Sequence, residues 1–344
     1  MPKPLLLASL LAFSTAYSQS PPTISSTNPT FLMIGSEVPC DDEILATVSP
    51  DGDDFSPIGN APAWKPSPNV RCIRDHTLLH YSDKTHKPYW LCAYTTEFQQ
   101  GSATIADTFG LAKSDDLIHW TPVTPVAPGG FNEKVLHAWS PYLFQDPADG
   151  AVYVFVTICT TSGWKGIGSM KCNDPGTWKD WTDWKVFPPL QRNAGEYNGA
   201  AAYFLNGRYW FFFDDASRDN GYAAAEAYMV SPTNLFSGYS RPTYIPSLNS
   251  TLSIDDKFNH KPAKQYRYEG MSLVWMHGPV WRIYVQEIGK VSGVYINDQM
   301  GFVQSDDNMQ TWGPYQFVGD AKSNIGDFTA AHVYRIDPDR GVSP

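Results

Sequence analysis

The fold is decided by residues 73–81, which read IRDHTLLHY: an acidic residue, Asp75, precedes a short apolar run. A turn and a second apolar run, residues 89–94 (YWLCAY), complete the unit. Two such runs, rich in aromatic and aliphatic residues and separated by a turn, predict a β-hairpin. Variants of this unit recur along the chain with a different residue in the position of Asp75, so the sequence predicts a repeated β-architecture.

The inner pair of strands recurs with a fixed spacing. Residues 198–207 (NGAAAYFLNG) align with residues 269–278 (EGMSLVWMHG) at an offset of 71 throughout. Residues 138–156 carry another copy, and residues 328–336 (FTAAHVYRI) carry a last one with no second strand after it. We expect residues 31–49 to supply the missing strands, because pairing the two chain ends closes a ring and removes the exposed sheet edge.

An outer-strand phrase recurs five times, as a short strand, a Ser/Asp-rich turn and a closing aromatic residue. Its copies are residues 46–55, 110–120, 168–178, 228–236 and 301–312. Together with blades of roughly 60–70 residues, these copies predict an all-β fold, a five-bladed β-propeller. The alternative is an all-β sandwich with coincidentally similar turns, and the repeats favour the propeller. The acidic pairs Asp115-Asp116 and Asp306-Asp307 fall in these turns, so we interpret them as turn residues rather than calcium ligands.

Composition narrows the class of partner. The chain has 344 residues, a formal net charge of −10 and only 17% charged residues, which disfavours a nucleic-acid groove. Aromatic residues make up 14% of the chain. Most of them suit a β-rich core, and a few could line a sugar-binding surface. The longest apolar run, near the N-terminus, is too short to span a bilayer, so no membrane partner is expected.

The N-terminus is typical of a secreted protein. Residues 1–18 read as a signal peptide, with Lys3, an apolar run over residues 5–13 and a small-residue cleavage site that leaves Gln19 first. Residues 19–31 are expected to be a flexible lead-in, and residues 32–344 a single propeller domain. Asn249 lies in the one glycosylation sequon, in a polar stretch where a loop is expected.

A secreted chain can carry disulfides. The five cysteines are an odd set, and their spacing does not resemble a zinc site. Cys159 and Cys172 flank a possible hairpin turn and are the first expected pair. Two of Cys40, Cys72 and Cys92 could form a second pair, and the sequence leaves the connectivity open.

The innermost strands of a propeller start together at one end of the central channel. Asp75, Ser140, Asn198, Glu269 and a residue near Ala331 should therefore converge, with Asp75 and Glu269 in equivalent positions on different blades. Glycoside hydrolysis needs two carboxyl groups across the scissile bond, one protonated and one ionised. A single acidic residue before a strand more often binds backbone N–H groups, but the pair favours catalysis.

These residues carry a resemblance to a known group of enzymes. Residues 74–77 (RDHT), 139–141 (WSP) and 268–270 (YEG), together with the strand at residues 331–332, resemble the blade signatures of glycoside hydrolase families 43 and 62. The resemblance spans roughly Asp42 to Ile336. It implies a five-bladed propeller that hydrolyses plant cell-wall polysaccharide with inversion. An α-L-arabinofuranosidase on arabinoxylan or arabinan is expected first, because residues 268–269 and 287–289 look like the fourth blade of family 62; a β-xylosidase or endo-arabinanase is the alternative.

The resemblance also implies roles for single residues. The general base falls on Asp75 and the general acid on Glu269. A third acid, which raises the pKa of the general acid and orients it, falls on Asn198, where this sequence departs from the families. Glu196 could be a shifted substitute. The departure keeps open a catalytically impaired, carbohydrate-binding propeller.

Arg74, Trp139, Tyr142, Glu196 and His332 are the candidate substrate-binding residues. Trp139 and Tyr142 could form a sugar platform where blade two meets the channel, or Trp139 could pack between blades. His332 matches a position near which family members hold a water or calcium, and a hydrogen-bonded core histidine is the alternative. The resemblance implies no required cofactor, and the protein is expected to act as a monomer.

Overall fold

The repeats fold into short antiparallel sheets in the computed structural model. The structure describes residues 30–37, 44–58, 72–83, 87–100, 103–215, 225–249, 265–291, 294–318, 328–337 and 341–343. Within these residues the chain is almost entirely β-structure. Its helical content there is a short 3-10 segment, η1, at Pro188–Glu196.

The strands form five sheets, taken here in chain order. The N-terminal strands are β1 (Thr30–Glu37), β2 (Leu45–Ser49) and β3 (Ser56–Pro57). Blade one contains β4 (Cys72–Tyr81), β5 (Tyr89–Gln100), β6 (Ala103–Ile105), β7 (Phe109–Ser114) and β8 (Trp120–Val126). Blade two contains β9 (Val135–Gln145), β10 (Val152–Thr160), β11 (Gly163–Lys171) and β12 (Lys185–Val186). Blade three contains β13 (Tyr197–Leu205), β14 (Arg208–Asp215), β15 (Ala225–Ser231) and β16 (Thr243–Asn249). Blade four contains β17 (Gln265–His277), β18 (Val280–Val291), β19 (Val294–Ser305) and β20 (Gln316–Phe317). The last strands are β21 (Phe328–Asp337) and β22 (Gly341–Ser343).

The fifth blade joins the two ends of the chain. Its strand order is β22-β21-β1-β2-β3, so the N-terminal β1 lies between β21 and β2. Leu32 of β1 is opposite Val48 on one side and Tyr334 on the other. The predicted closure is confirmed, and β1 begins at Thr30, inside the stretch expected as lead-in.

The inner strands form a closed ring. In turn β4 packs against β9, β9 against β13, β13 against β17, β17 against β21, and β21 against β4. This arrangement confirms the five-bladed β-propeller and excludes the sandwich. Each inner strand enters the ring at the same end, so residues near their starts meet at one end of the channel.

The core lies between the blades and is built largely from second strands. The runs 209–213 and 153–156 are mostly buried, and Phe211, Phe212 and Phe213 are fully so. Phe155 of blade two lies edge-on to Phe211 of blade three, with ring centroids 5.1 Å apart. Full burial of one such side chain contributes about 1.5–3 kcal/mol to stability, so these contacts hold neighbouring blades together.

The outer turns have the chemistry expected from the repeated phrase. The Ser114 hydroxyl accepts a hydrogen bond from the Leu117 N–H at 2.8 Å, and the Ser305 hydroxyl accepts one from the Met309 N–H at 2.9 Å. Asp116 accepts from two further backbone N–H groups of its turn, at 2.9 and 2.7 Å. The acidic residues of this phrase therefore stabilise turns, as predicted.

The expected disulfide between Cys159 and Cys172 is wrong. Both residues are free and buried, as is Cys92. The hairpin turn is much shorter than the spacing suggested, since β10 ends at Thr160 and β11 begins at Gly163. Cys159 pairs with Trp164 beside that turn, whereas Cys172 follows the far end of β11, roughly 25 Å away at about 3.3 Å per residue. A pairing of Cys40 with Cys72 lies outside the described residues and side chains.

The predictions on processing fall mostly outside the described residues. Residues 1–29, which hold the expected signal peptide and most of the lead-in, are among those not described. Asn249 of the sequon is the last residue of β16 rather than a loop residue. No helix in the described part of the chain has the length and apolar character needed to cross a bilayer.

Candidate active site

The first four inner strands share an irregularity near their starts. Each has a shift of pairing register there, and each places one residue in the left-handed region of backbone conformation. The four residues are Asp75 (φ 53°), Ser140 (φ 51°), Gly199 (φ 55°) and Gly270 (φ 71°). Glycine adopts this region freely, and aspartate more readily than most other residues. A bulge of this kind bends the strand and redirects its side chains, here at the end of the channel.

The bulges correct one prediction. In blade one the left-handed residue is the candidate base itself, whereas in blade four the candidate acid precedes the left-handed Gly270. Glu269 is the last paired residue before its bulge, opposite Gln286, and the corresponding residue of blade one is Arg74, opposite Thr95. Asp75 and Glu269 are therefore not in equivalent positions, but one residue apart. The sequence does not reveal this, because either residue fits the alternation of the strand.

The structure brings the candidate residues of all five blades to one cavity. Asp75, Ser140, Asn198, Glu269 and His332 line it, one from each inner strand. The space that a water-sized sphere can occupy between them is about 20 Å³, enough for about one water molecule. The other lining residues are Thr77, Gly199, Ala200, Ala201, Asp214, Gly270, Met271 and Gln286. The convergence expected at the channel is thus present.

Asp75 is held by donors from its own blade and from blade two. Its Oδ2 accepts hydrogen bonds from the Thr95 hydroxyl at 2.8 Å, the Ser140 hydroxyl at 3.2 Å and the Ser140 N–H at 3.3 Å. The Ser140 N–H also donates to the Thr95 hydroxyl at 2.9 Å. These donors hold the Asp75 carboxylate in one orientation at the cavity.

His332 lies in the wall of the cavity. It is buried, and its Nδ1 is 3.0 Å from the Ser272 hydroxyl. Burial lowers the pKa of His332 to about 4, although the nearby charge of Asp75 acts in the opposite direction. The imidazole is therefore neutral near neutral pH and can exchange hydrogen bonds without carrying charge.

The cavity offers little to a metal ion. Calcium prefers six to eight oxygen ligands. In the part of the chain that the structure describes, no group of three or more His, Cys, Asp or Glu side chains is arranged to hold a metal ion. Calcium near His332 stays a prediction.

Aromatic and charged side chains cluster beside the cavity, on blades one and two. The Arg74 guanidinium lies 4.8 Å from the ring centroid of Trp139 and forms an ion pair with Glu97 at 2.8 Å. Trp139 in turn lies 5.0 Å from Trp164, which is 44% exposed. His137 lies 4.5 Å from Trp139. Trp139 is thus packed between Arg74 of blade one and Trp164 of its own blade, and a sugar platform at Trp139 stays a prediction.

Two of the predicted binding residues lie elsewhere. Tyr142 is buried, lines a second cavity of about 340 Å³ with Tyr203 and Tyr334, and does not reach the first, so the expected sugar platform at Tyr142 is wrong. It faces inward because it follows the bulge at Ser140 and Pro141. Glu196 is exposed at the end of η1 and is not among the described residues that line the site cavity. It therefore does not replace the third acid.

The sequence reasoning missed three residues. Asp214 and Gln286 line the cavity from second strands, and Trp164, at the start of β11, packs against Trp139, the neighbour in sequence of the lining residue Ser140. The available signal for Asp214 was an acidic pair, Asp214-Asp215, that directly ends a buried aromatic run. Gln286 and Trp164 gave no comparable signal, because their placement depends on strand pairing.

Asn198, the departure from the family pattern, does line the cavity. Its side-chain Oδ1 is buried and has no hydrogen-bond partner among the residues that the structure describes. A buried acceptor without a partner costs free energy, so a bound water or a substrate hydroxyl that donates to it would be stabilised.

Fold and cavity together define a class: a five-bladed propeller with three carboxyl groups, those of Asp75, Asp214 and Glu269, at one end of its channel. No protein-family model matches the sequence, and no curated protein matches it in sequence. Solved structures do match. An exo-1,5-α-L-arabinanase from a bovine ruminal metagenomic library has a TM-score of 0.51 at 12% identity, covering 84% of this chain and 93% of that one.

Two proteins of Bacillus licheniformis match as well. A family-43 endo-arabinanase has a TM-score of 0.50 at 15% identity, covering 80% of this chain and 90% of that one. The family-43 protein BlXynB has a TM-score of 0.50 at 14% identity, covering 85% of this chain, and this chain spans about half of its length, 55%. At such identities the likeness shows a shared fold, so the resemblance to family 43 is confirmed for the architecture.

Proposed function

We propose that the protein is a secreted, inverting glycoside hydrolase that acts on plant cell-wall polysaccharide, as an α-L-arabinofuranosidase on arabinoxylan or arabinan. The observation that carries this proposal is the pair Asp75 and Glu269 in one cavity. They lie on β4 and β17, inner strands that are separated in the ring by β21. The named activities of proteins that share the fold, exo-arabinanase and endo-arabinanase, support the substrate class.

The proposed step is a single displacement. Asp75 accepts a proton from a water molecule, whose oxygen attacks the anomeric carbon. The glycosidic C–O bond breaks at the same time, and Glu269 donates its proton to the leaving oxygen. Inversion requires carboxyl groups about 6.5–9.5 Å apart, so that water fits between base and sugar. Space for one water among the lining residues is consistent with this arrangement, and the reaction requires no cofactor.

The remaining lining residues suit the binding of a sugar at the mouth of the cavity. Asn198 presents an acceptor, Gln286 an amide and His332 a neutral imidazole. Trp164 presents an exposed ring beside them. A few convergent polar groups and a flat aromatic surface are the combination by which proteins orient small polar ligands.

Product profiling tests the proposal. The purified protein is incubated with arabinoxylan and with arabinan, and the Asp75→Asn/Glu269→Gln double variant is the matched control. Release of arabinose by the wild type alone supports the proposal. Release of xylose alone would instead indicate a β-xylosidase, and release of arabino-oligosaccharides an endo-arabinanase.

A second candidate is a non-catalytic propeller that binds carbohydrate, and it is favoured by Asn198 in the expected position of the third acid. Binding and hydrolysis of arabinoxylan, measured on the same protein, distinguish the two candidate functions. A wild-type protein that is retained by insoluble arabinoxylan but yields no reducing sugar over a long incubation, at any pH from 4 to 8, would exclude the enzyme.

Secretion and a monomeric state belong to the same proposal. The signal-like sequence of residues 1–18 supports secretion. N-terminal sequencing of protein recovered from culture medium is expected to begin at Gln19, and size-exclusion chromatography with light scattering is expected to give the mass of one chain.

A further inference from the structure

We propose that Asp214 supplies the third carboxylate of the site, taking from the second strand of blade three the role that Asn198 cannot fill on the first. The inference rests on the proposed function, because that role is to keep Glu269 protonated as the general acid. Asp214 acts through Glu269 and is a positioning residue in this account.

The placement of Asp214 depends on a glycine. A Cβ atom at Gly199 would lie 2.7 Å from Asp214 Oδ2, well inside contact distance. Gly199 is also left-handed, with φ 55°, and follows Asn198 directly. The carboxylate therefore occupies the space that a side chain would otherwise take at the bulge. At the corresponding Gly270 of blade four, a Cβ atom would meet nothing within 4 Å.

Blades three and four carry the same two chemical groups in opposite order. Asn198 of β13 is paired across the sheet with Asp214 of β14. Glu269 of β17 is paired across the sheet with Gln286 of β18. All four residues line the cavity. Each blade thus contributes one carboxyl and one amide, with the acid on the first strand in blade four and on the second strand in blade three.

The surroundings of Glu269 single out Asp214. The other titratable groups that line the cavity are Asp75, whose Oδ2 is engaged by Thr95 and Ser140, and the neutral His332. On the strands packed nearby, Glu226 of β15 is paired with Asp214. Glu287 of β18 is paired with Tyr268 rather than with Glu269. Asp215 accepts a hydrogen bond from the Tyr244 hydroxyl at 2.7 Å. Arg335, on β21, donates to the backbone oxygens of Trp275 and Met276 instead.

Burial would strengthen the effect of a negative charge on Asp214. The residue is 2% exposed, and Glu226 behind it is fully buried. A negative charge in a poorly solvated site is weakly screened, and a like charge nearby disfavours ionisation of a second carboxyl group. A general acid must hold its proton at the working pH. Asp214 thereby supplies the electrostatic condition that the amide of Asn198 cannot.

The first test is the pH dependence of kcat/KM in Asp214→Asn, a change that removes charge and keeps shape. The alkaline limb is expected to move to lower pH by on the order of one unit, because the acid then loses its proton more easily. The control is Asp215→Asn, the same change on the adjacent residue, which does not line the cavity and should leave the limb in place. An unmoved limb in a folded Asp214→Asn variant overturns the proposal.

The exchange of the pair gives a sharper result. In the double variant Asn198→Asp/Asp214→Asn the carboxylate returns to the first strand, so the alkaline limb is expected to return to within about 0.3 pH unit of the wild type, well inside the single-variant shift. A purely structural role for Asp214 predicts further loss in the double variant, and that outcome would reject the proposal. Circular dichroism and the unfolding midpoint report whether each variant is folded.

A measurement that needs no catalysis separates this inference from the proposed function. In protein labelled with ¹³C at glutamate carboxyls, the Glu269 signal is assigned by its loss in Glu269→Gln, and its titration midpoint is expected to fall by about one unit in Asp214→Asn. Asp215→Asn, which changes no residue that lines the cavity, should leave the Glu269 midpoint in place. If the Glu269 midpoint falls in Asp214→Asn but the wild type releases no sugar, the role of Asp214 is supported and the glycosidase is contradicted. If the wild type releases sugar but the Glu269 midpoint is the same in Asp214→Asn, the glycosidase is supported and the role of Asp214 is contradicted.

Discussion

At the scale of single residues, the site rests on a strained aspartate. Asp75 has a φ of 53° and is nevertheless held in one orientation by Thr95 and Ser140. A non-glycine residue in this region costs of order 1–3 kcal/mol, and the hydrogen bonds to its carboxylate offset part of that cost. The strain is consistent with a residue kept for its position in the cavity rather than for stability.

The first prediction concerns the two proposed catalytic carboxyls. Asp75→Asn and Glu269→Gln are each expected to lower kcat by roughly 10²–10⁴-fold, the usual range for general acid or base catalysis, with circular dichroism unchanged. Steady-state rates on arabinoxylan provide the measurement. An unchanged rate in either folded variant would remove that residue from the mechanism.

The second prediction concerns the exposed ring of Trp164. Trp164→Ala is expected to raise KM about 3- to 10-fold with little change in kcat, since an aromatic contact contributes about 0.5–1.5 kcal/mol. Phe317→Ala is the control, because Phe317 is also exposed, at 52%, but lies on the outer strand of blade four. Equal effects of the two substitutions would argue against a binding surface at Trp164.

The residue-scale predictions from sequence succeeded where a pattern fixes position. Asp75, Ser140, Asn198 and Glu269 stand at the starts of recognisable repeats, and all four line the cavity. The bulges shift Glu269 by one residue, and the place of Asp214 depends on cross-strand pairing. Neither feature leaves a periodic signal in the sequence. Tyr142 was misplaced for the same reason, since the bulge before it reverses the direction of its side chain.

At the scale of strands, tyrosine hydroxyls join neighbouring blades. The Leu273 N–H of blade four donates to the Tyr203 hydroxyl of blade three at 2.9 Å, and the Leu78 N–H of blade one donates to the Tyr334 hydroxyl of blade five at 2.7 Å. Both tyrosines are buried. The hydroxyls therefore satisfy inner-strand donors that have turned away from their own sheets.

The third prediction follows from that contact. Tyr203→Phe is expected to lower the free energy of unfolding by about 1–3 kcal/mol, because it leaves the buried Leu273 N–H without its acceptor. Tyr153→Phe is the matched control on a half-buried second-strand tyrosine, and it should change stability by less than about 0.5 kcal/mol. Chemical denaturation measures both. Equal stabilities of the two variants would show that the inter-blade hydrogen bond contributes nothing measurable.

The fourth prediction concerns a buried acid on β18. Burial raises the pKa of Glu287 to about 7 from its ordinary 4.5, with a hydrogen bond from Tyr268 acting in the opposite direction. Its contribution to stability is therefore fully present below pH 4.5 and is lost as the pH rises to about 7. Glu287→Gln removes this dependence. The free energy of unfolding of the variant, relative to that of the wild type, should therefore rise by up to about 3 kcal/mol between pH 4 and pH 8.

Urea denaturation across that pH range provides the measurement for Glu287. The difference between the two proteins, rather than either value alone, carries the result, because a constant effect of the substitution cancels. Parallel curves for the two proteins would contradict the assignment of a raised pKa.

At the scale of the whole molecule, the ring is the feature that the sequence predicted best. The fixed offset between blades three and four and the unpartnered last strand required the N-terminus to complete the fifth blade, and β1 lies between β21 and β2. The predicted cysteine pairing, in contrast, failed. Their expected pairing used spacing alone, and the short turn between β10 and β11 placed Cys159 and Cys172 at opposite ends of a strand.

The ring also explains how a chain with little sequence likeness to solved glycosidases can assemble such a site. Each blade needs only to bring one strand start to the channel, and the five starts need not be alike. The structure places an aspartate, a serine, an asparagine, a glutamate and a histidine there. A carboxylate that is missing from one strand can be supplied by the neighbouring strand of the same blade, as we propose for Asp214 beside Asn198.

The stereochemistry of hydrolysis tests the central claim most directly. A ¹H NMR time course of the purified protein acting on arabinoxylan should show the β-anomer of arabinose first, with the α-anomer growing in later by mutarotation. That order follows if a water held by Asp75 attacks opposite the leaving oxygen protonated by Glu269. If the α-anomer appears first, or if no arabinose is released, the assignment of Asp75 and Glu269 as an inverting pair is contradicted.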